Sequence, residues 1–114
     1  MRVLAVRVPE PAAFLFHKGI TFTLRGEEFK RDKDLFYLYF ILRYAPDTTD
    51  LLDRLASYRG HELFDLFREN VQAFLGDVSM PGYAILGKFL RPYQDVRTID
   101  KEITDWVRRL QTVL

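Results

Sequence analysis

The chain has 114 residues, of which 48% are hydrophobic, and its 17 basic and 16 acidic side chains give a formal net charge of +1. This composition predicts one globular domain that buries roughly two-thirds of its unfolded surface, and it argues against a disordered segment or a general nucleic-acid coat. The absence of cysteine excludes disulfides and thiolate metal sites. No apolar run approaches the roughly 20 residues of a membrane span and no signal peptide is evident, so we expect a cytoplasmic protein without a membrane partner.

The first predicted element is a short strand. Residues 2–8 (RVLAVRV) alternate in character and are rich in valine, as β-strands are. A lone strand cannot satisfy its own backbone groups. We therefore expect it to pair with a second copy, giving a homo-oligomer, or with a missing domain.

Two helices are predicted next. Pro9-Glu10-Pro11 opens a helix that runs to about Leu24 and ends at Gly26. The second helix begins near Glu27 and carries eight consecutive apolar residues at 35–42. A run of this length predicts a central core helix that is buried on most sides.

The remaining sequence predicts four further helices. Caps, glycines, prolines and apolar periodicity indicate helices at about 48–58, 61–75 and 82–90, with Ser79 as the cap of the last of these, and from 98 to the C-terminal end. The predicted fold class is therefore mainly α, a single compact helical domain over residues 1–114 with one short N-terminal strand.

Three charged residues form a candidate anion site. Lys18 and Arg25 are seven residues apart, and at about 100° per residue they return to nearly the same side of a helix. We expect Asp34, whose turn leads into the apolar run, to be partly buried and to pair with one of these cations. The other cation would then remain open to an anion. The alternative is that all three are ordinary solvated positions on helix surfaces.

The segment 3–42 resembles the part that follows the catalytic sheet in nucleotidyltransferase-fold proteins of the DNA polymerase β-like superfamily, especially the abortive-infection toxin-type and related uncharacterised branches. There a strand ending in Val-Pro leads to a helix with a Lys, then an Arg, then a Lys-Asp before an aromatic-rich helix. In this chain the matching residues are Val8-Pro9, Lys18, Arg25 and Lys33-Asp34. The resemblance implies that Lys18, Arg25 and Lys33 contact nucleotide phosphates and that Asp34 orients them.

The metal centre of that family is a Gly-Ser followed by an Asp-x-Asp pair, upstream of the matching segment. Asp32 and Asp34 form an Asp-x-Asp without a preceding Gly-Ser, and on a helix two such residues point about 200° apart, so they cannot share a metal. We therefore predict no metal site, no catalytic residue and no cofactor in this chain alone. By resemblance, the complete protein would use magnesium and a nucleoside triphosphate and would have an α+β fold.

These observations predict the helical portion of a nucleotidyltransferase that supports nucleotide or substrate binding. The chain would be a truncated reading frame, or a subunit whose catalytic half is supplied by a partner. Two alternatives stay open. Arg54 and His61 resemble the loose form of the motif in HEPN-type helical ribonucleases, in which these side chains act on the RNA phosphate and 2′-hydroxyl. The other alternative is a non-catalytic helical protein-interaction module. Nucleic-acid binding stays open for the nucleotidyltransferase and the ribonuclease interpretations.

Overall fold

The computed structural model describes residues 10–92 and 94–114, and it is mainly helical, which confirms the predicted fold class. The predicted strand at residues 2–8 lies outside the described residues. Among the described helices, none is both long enough and apolar enough to cross a membrane. The α-helices are α1 (Pro11–Thr21), α2 (Glu28–Tyr44), α3 (Thr48–Ala56), α4 (Phe64–Leu75), α5 (Pro81–Leu90) and α6 (Val96–Gln111), and short 3-10 helices span Phe22–Leu24 and Ser57–Gly60.

The predicted end of the first helix and the predicted start of the fourth α-helix differ from the structure. The first helix ends at Thr21 and continues as a 3-10 turn, and the Thr21 hydroxyl donates a hydrogen bond to the carbonyl of His17. Such back-bonding by threonine competes with a regular helix, and tightening into a 3-10 turn is frequent at helix ends. Helix α4 begins at Phe64 instead of His61, because His61 is extended and follows the 3-10 turn that ends at Gly60.

The boundaries of α5 and α6 follow local capping chemistry. Met80 precedes α5, and Pro81 is its first residue. Ser79 is therefore not the cap that was predicted, and its amide and hydroxyl bond the carboxylate of Asp77 instead. At α6 the Asp95 carboxylate accepts from the Thr98 amide at 2.9 Å, so the helix begins earlier than predicted.

Helix α2 lies at the centre of the fold and contacts α1, α3, α5 and α6. Leu35, Leu38 and Leu42 are buried in the single hydrophobic core that these helices share. Within the apolar run at 35–42, Tyr37 and Phe40 are the exposed residues, at 41% and 45%, and the other six are buried or half-buried. The prediction that α2 is buried on most sides is therefore confirmed, and an aromatic strip of the helix remains exposed.

The end of α1 is fixed by a close crossing with α4. A Cβ atom at Gly19 would overlap the ring of Phe67, so only glycine permits this approach. The Asn70 amide on α4 donates to the carbonyls of Gly19 and Ile20 at 3.0 and 3.2 Å. These bonds satisfy carbonyls that a helix end leaves without partners, and they hold the turn that carries Lys18.

Candidate functional site

The first candidate site, which we call the Asp34 cluster, consists of Asp34, Lys18 and Arg25. Lys18 Nζ on α1 lies 3.0 Å from Asp34 Oδ1 on α2, and Arg25 Nε in the connecting segment lies 3.3 Å from Asp34 Oδ2. The carboxylate side chain is only 5% exposed, whereas the side chains of Lys18 and Arg25 are 20% and 42% exposed. Asp34 is thus a buried anchor beneath two more accessible cations.

The pairing differs from the prediction in two respects. Arg25 follows the 3-10 turn with an extended backbone, so it does not share a helix with Lys18, because the regular helix has already ended at Thr21. Both cations contact Asp34, and so the prediction that one of them stays unpaired is wrong. The predicted burial of Asp34 and its pairing with Lys18 or Arg25 are confirmed.

The charges of the cluster nevertheless do not cancel. Its two cations and one carboxylate leave a formal charge of +1. Asp34 Oδ2 is buried and accepts no hydrogen bond from the described residues, because the nearby Arg25 N–H is close but poorly aligned. A half-satisfied buried carboxylate beside an accessible guanidinium is an arrangement that can admit a further polar group.

Lys33 and Asp32 lie apart from this cluster. Lys33 Nζ sits 5.6 Å from the centre of the Phe29 ring on the outer side of α2, so the structure does not bring Lys33 to Asp34. Asp32 binds Arg31 at 2.8 Å and lies 3.5 Å from Lys88 Nζ on α5. Asp32 and Asp34 therefore point to different neighbours, as their spacing predicts. In the described ranges, no three His, Cys, Asp or Glu side chains are grouped to hold a metal.

Arg54 and His61, the alternative ribonuclease pair, bond different partners in the structure. Arg54 is exposed and bonds Asp50 at 2.8 Å, which raises the pKa of its guanidinium. The His61 ring packs edge-on against Phe16, with 5.3 Å between ring centres, and its Nδ1 accepts from the Leu63 amide. The two residues lie on either side of the 3-10 turn Ser57–Gly60, and the ribonuclease interpretation stays a prediction.

A second candidate site, missed by the sequence analysis, is a cavity of about 190 Å³ between α2, α5 and the start of α6. Aromatic rings form most of its wall, and the rings of Phe36 and Phe89 stack with 4.7 Å between centres. We call this cavity the aromatic slot. Its lining consists of Phe36, Tyr39, Phe40, Arg43, Tyr44, Phe89, Leu90, Gln94 and Glu102.

Polar groups meet at one side of the aromatic slot. Arg43 Nε donates to Glu102 at 2.5 Å, and this bond raises the pKa of the Arg43 guanidinium. The Tyr39 hydroxyl and Gln94 Oε1 are both buried, and neither has a hydrogen-bond partner among the described residues. Burial, together with the charge of Glu102, raises the pKa of Tyr39 far above its usual value. The phenol therefore keeps its proton and remains a potential donor.

Comparison with known protein families, with curated proteins and with solved structures found no match to this chain. The resemblance to nucleotidyltransferase-fold proteins therefore stays a prediction. A functional assignment has to be argued from the two sites themselves.

Proposed function

We propose that the chain is the helical, nucleotide-supporting portion of a nucleotidyltransferase-type protein and is not catalytically complete alone. The observation that carries this proposal is the convergence of Lys18 and Arg25, from two separate elements, on the buried Asp34 carboxylate. The cluster has a net formal charge of +1, and its accessible side is cationic. A phosphate group is the ligand that such a surface favours.

The two cations retain donors for an anion. A guanidinium has five N–H donors, and the closest approach of Arg25 to Asp34 is made by its Nε, at 3.3 Å. Lys18 is also held by aromatic neighbours, with its Nζ 5.5 Å from the centre of the Phe14 ring and 6.0 Å from that of Tyr37. Asp34 would position both cations while their remaining N–H groups bind phosphate oxygens.

The described residues do not fit a magnesium site. Asp32 and Asp34 diverge, and each is already paired with cations from its own side of α2. A magnesium ion that activates a nucleoside triphosphate would be held by carboxylates of another portion of the complete protein. This chain would contribute phosphate contacts and leave the chemistry to that portion.

The test is a titration of the purified chain with ATP at low and at high salt, followed by amide chemical shifts. We expect weak, saturable binding that falls with ionic strength, since the contacts are exposed charges. Lys18→Ala and Arg25→Ala should each lower the affinity about three- to tenfold. Arg97→Ala removes an exposed arginine on α6 and is the matched control.

Two results would contradict the proposal. One is an ATP affinity that Lys18→Ala and Arg25→Ala leave equal to that of Arg97→Ala. The other is robust incorporation of labelled nucleotide into an acceptor by the purified chain with magnesium, because the proposal assigns no catalytic centre to these residues.

A specific observation also favours the second candidate function, a non-catalytic interaction module. Phe29, Tyr37, Phe40 and Tyr44 lie along one side of α2 and are 65%, 41%, 45% and 61% exposed. Aligned exposed aromatic side chains are characteristic of binding surfaces. Substituting Phe29 and Tyr44 by serine should reduce association with a partner or a second copy, measured by sedimentation, and should leave the ATP affinity unchanged.

A further inference from the structure

The geometry points to a small-molecule site in the aromatic slot, with a single-ring nitrogen heterocycle such as a pyrimidine base as its ligand class. This inference does not rest on the proposed function. At about 100° per residue, Tyr39 and Arg43 lie roughly 140° and 180° around α2 from Asp34. The slot and the Asp34 cluster are therefore on different sides of the central helix and share no residue.

The size of the slot selects a single ring. Its volume is about 190 Å³, and an engineered apolar cavity of roughly 150 Å³ is large enough to bind benzene. A six-membered ring with one or two small substituents therefore fits. Drug-sized ligands need pockets of roughly 300 Å³ or more, so larger compounds do not fit without rearrangement.

The walls select a flat ligand. Phe36 and Phe89 stack nearly parallel, with 17° between their ring planes, and Phe40 lies 6.0 Å from Phe36 and 4.7 Å from Tyr44 between ring centres. A planar ring can pack against such faces in offset or edge-on geometry. The lining also includes the Arg43–Glu102 ion pair, which adds charged groups to the aromatic walls.

The unpartnered polar atoms select a ligand with hydrogen-bonding edges. The described residues contain three buried side-chain polar atoms without partners, and two of them, the Tyr39 hydroxyl and Gln94 Oε1, belong to residues that line this one cavity. The hydroxyl can donate to a ring nitrogen or carbonyl, and the amide oxygen can accept from an N–H or amino group. Cytosine presents an acceptor and a donor side by side, whereas a hydrocarbon ring leaves both protein atoms unsatisfied.

The experiment compares cytosine with toluene as probes of the intact chain, by amide chemical shifts of residues around the slot. We expect saturable binding of cytosine and at least tenfold weaker binding of toluene. Tyr39→Phe should weaken cytosine binding about three- to tenfold, the effect of one hydrogen bond. Gln94→Leu should act in the same direction.

Tyr83→Phe is a matched control. Tyr83 is buried like Tyr39, but its hydroxyl is bonded to Thr104 at 2.9 Å, outside the slot. Tyr83→Phe should lower the melting temperature and leave cytosine affinity unchanged, whereas Tyr39→Phe should leave the melting temperature unchanged or slightly higher. Lys18→Ala should lower ATP affinity and leave cytosine affinity unchanged. The proposal for the slot and the proposal for the Asp34 cluster can therefore fail independently.

Three results would overturn the inference. The first is the absence of saturable cytosine binding, which would mean that water alone occupies the slot. The second is toluene binding as tight as that of cytosine, which would make the slot only an apolar cavity. The third is a fall in melting temperature for Tyr39→Phe equal to that for Tyr83→Phe, because the hydroxyl would then already have a partner in the unliganded chain.

Discussion

The Asp34 cluster and the aromatic slot lie on different sides of α2 and are built in opposite ways. The cluster is made of three charged residues within a stretch of 17 residues, and its cations are partly exposed. The slot is lined mainly by aromatic rings and draws its residues from α2, α5, α6 and the segment between α5 and α6, so its members are up to 66 positions apart in the chain. Both nevertheless contain buried polar atoms that have no partner in the described part of the chain.

This difference determines how each site depends on its residues. Asp34 is the single anion between two cations, so removing it leaves like charges adjacent and without compensation. In the slot, packing is shared among several rings, and the Tyr39 hydroxyl has no hydrogen-bond partner among residues 10–92 and 94–114. We therefore expect the loss of one side chain, Asp34, to destabilise the cluster strongly. At the slot, each substitution should remove only a part of the packing that several residues share.

The largest effect should come from Asp34→Ala. We expect a loss of about 1–3 kcal/mol in the free energy of unfolding, because Lys18 and Arg25 lose a buried partner, and the partial exposure of both cations limits the cost. Urea denaturation measures the change. Asp53→Ala, which removes an exposed carboxylate on α3, is the control and should alter stability little. Equal stability of the two variants would show that Asp34 does not anchor the cluster.

The sequence was sufficient to predict the pairing of Asp34 but not its full geometry. Lys18 and Asp34 lie on consecutive helices, and a carboxylate that enters an apolar run needs a cation nearby, so local reasoning finds the pair. Local reasoning placed Arg25 on the helix of Lys18, whereas α1 ends at Thr21 and the 3-10 turn that follows leaves Arg25 with an extended backbone. The family resemblance, and not helix geometry, placed Lys33 with the cluster, and successive helical residues face different directions.

The aromatic slot left a partial signal in the sequence. Phe36, Phe40 and Arg43 recur at helical spacing and share one side of α2. Their partners could not be predicted, because Glu102 is 59 residues from Arg43 and Gln94 follows a turn after α5. Which distant helix covers an aromatic face depends on tertiary packing, and a helical period alone does not encode it. The number of helices was predictable because prolines, glycines and capping residues act locally.

An intermediate effect should come from Glu102→Ala at the slot. This substitution removes the partner of Arg43, whose side chain is 32% exposed, and Glu102 itself is 15% exposed. We expect a loss of about 1 kcal/mol in unfolding free energy, smaller than that for Asp34→Ala, since only one cation is left and water can reach it. Glu62→Ala, at an exposed position before α4, is the control. A loss larger than that of Asp34→Ala would show that the slot, and not the Asp34 cluster, depends more on a single charged side chain for stability.

The smallest effect should appear in alkaline solution and concerns the slot alone. Burial raises the pKa of Tyr39 in the folded chain, whereas a tyrosine in the unfolded chain ionises near pH 10. The folded state therefore holds its proton more tightly. The contribution of Tyr39 to stability is fully present below about pH 10 and is lost as the pH rises above that value toward the folded-state pKa. At pH 10.5 the loss should be about 0.8 kcal/mol relative to neutral pH.

Because phenylalanine does not ionise, Tyr39→Phe should lose less stability than the wild type between pH 9 and 10.5, as measured by urea denaturation. Parallel curves for the two proteins would mean that the hydroxyl is solvated in the folded chain, and the buried, proton-retaining phenol assigned to the aromatic slot would be wrong.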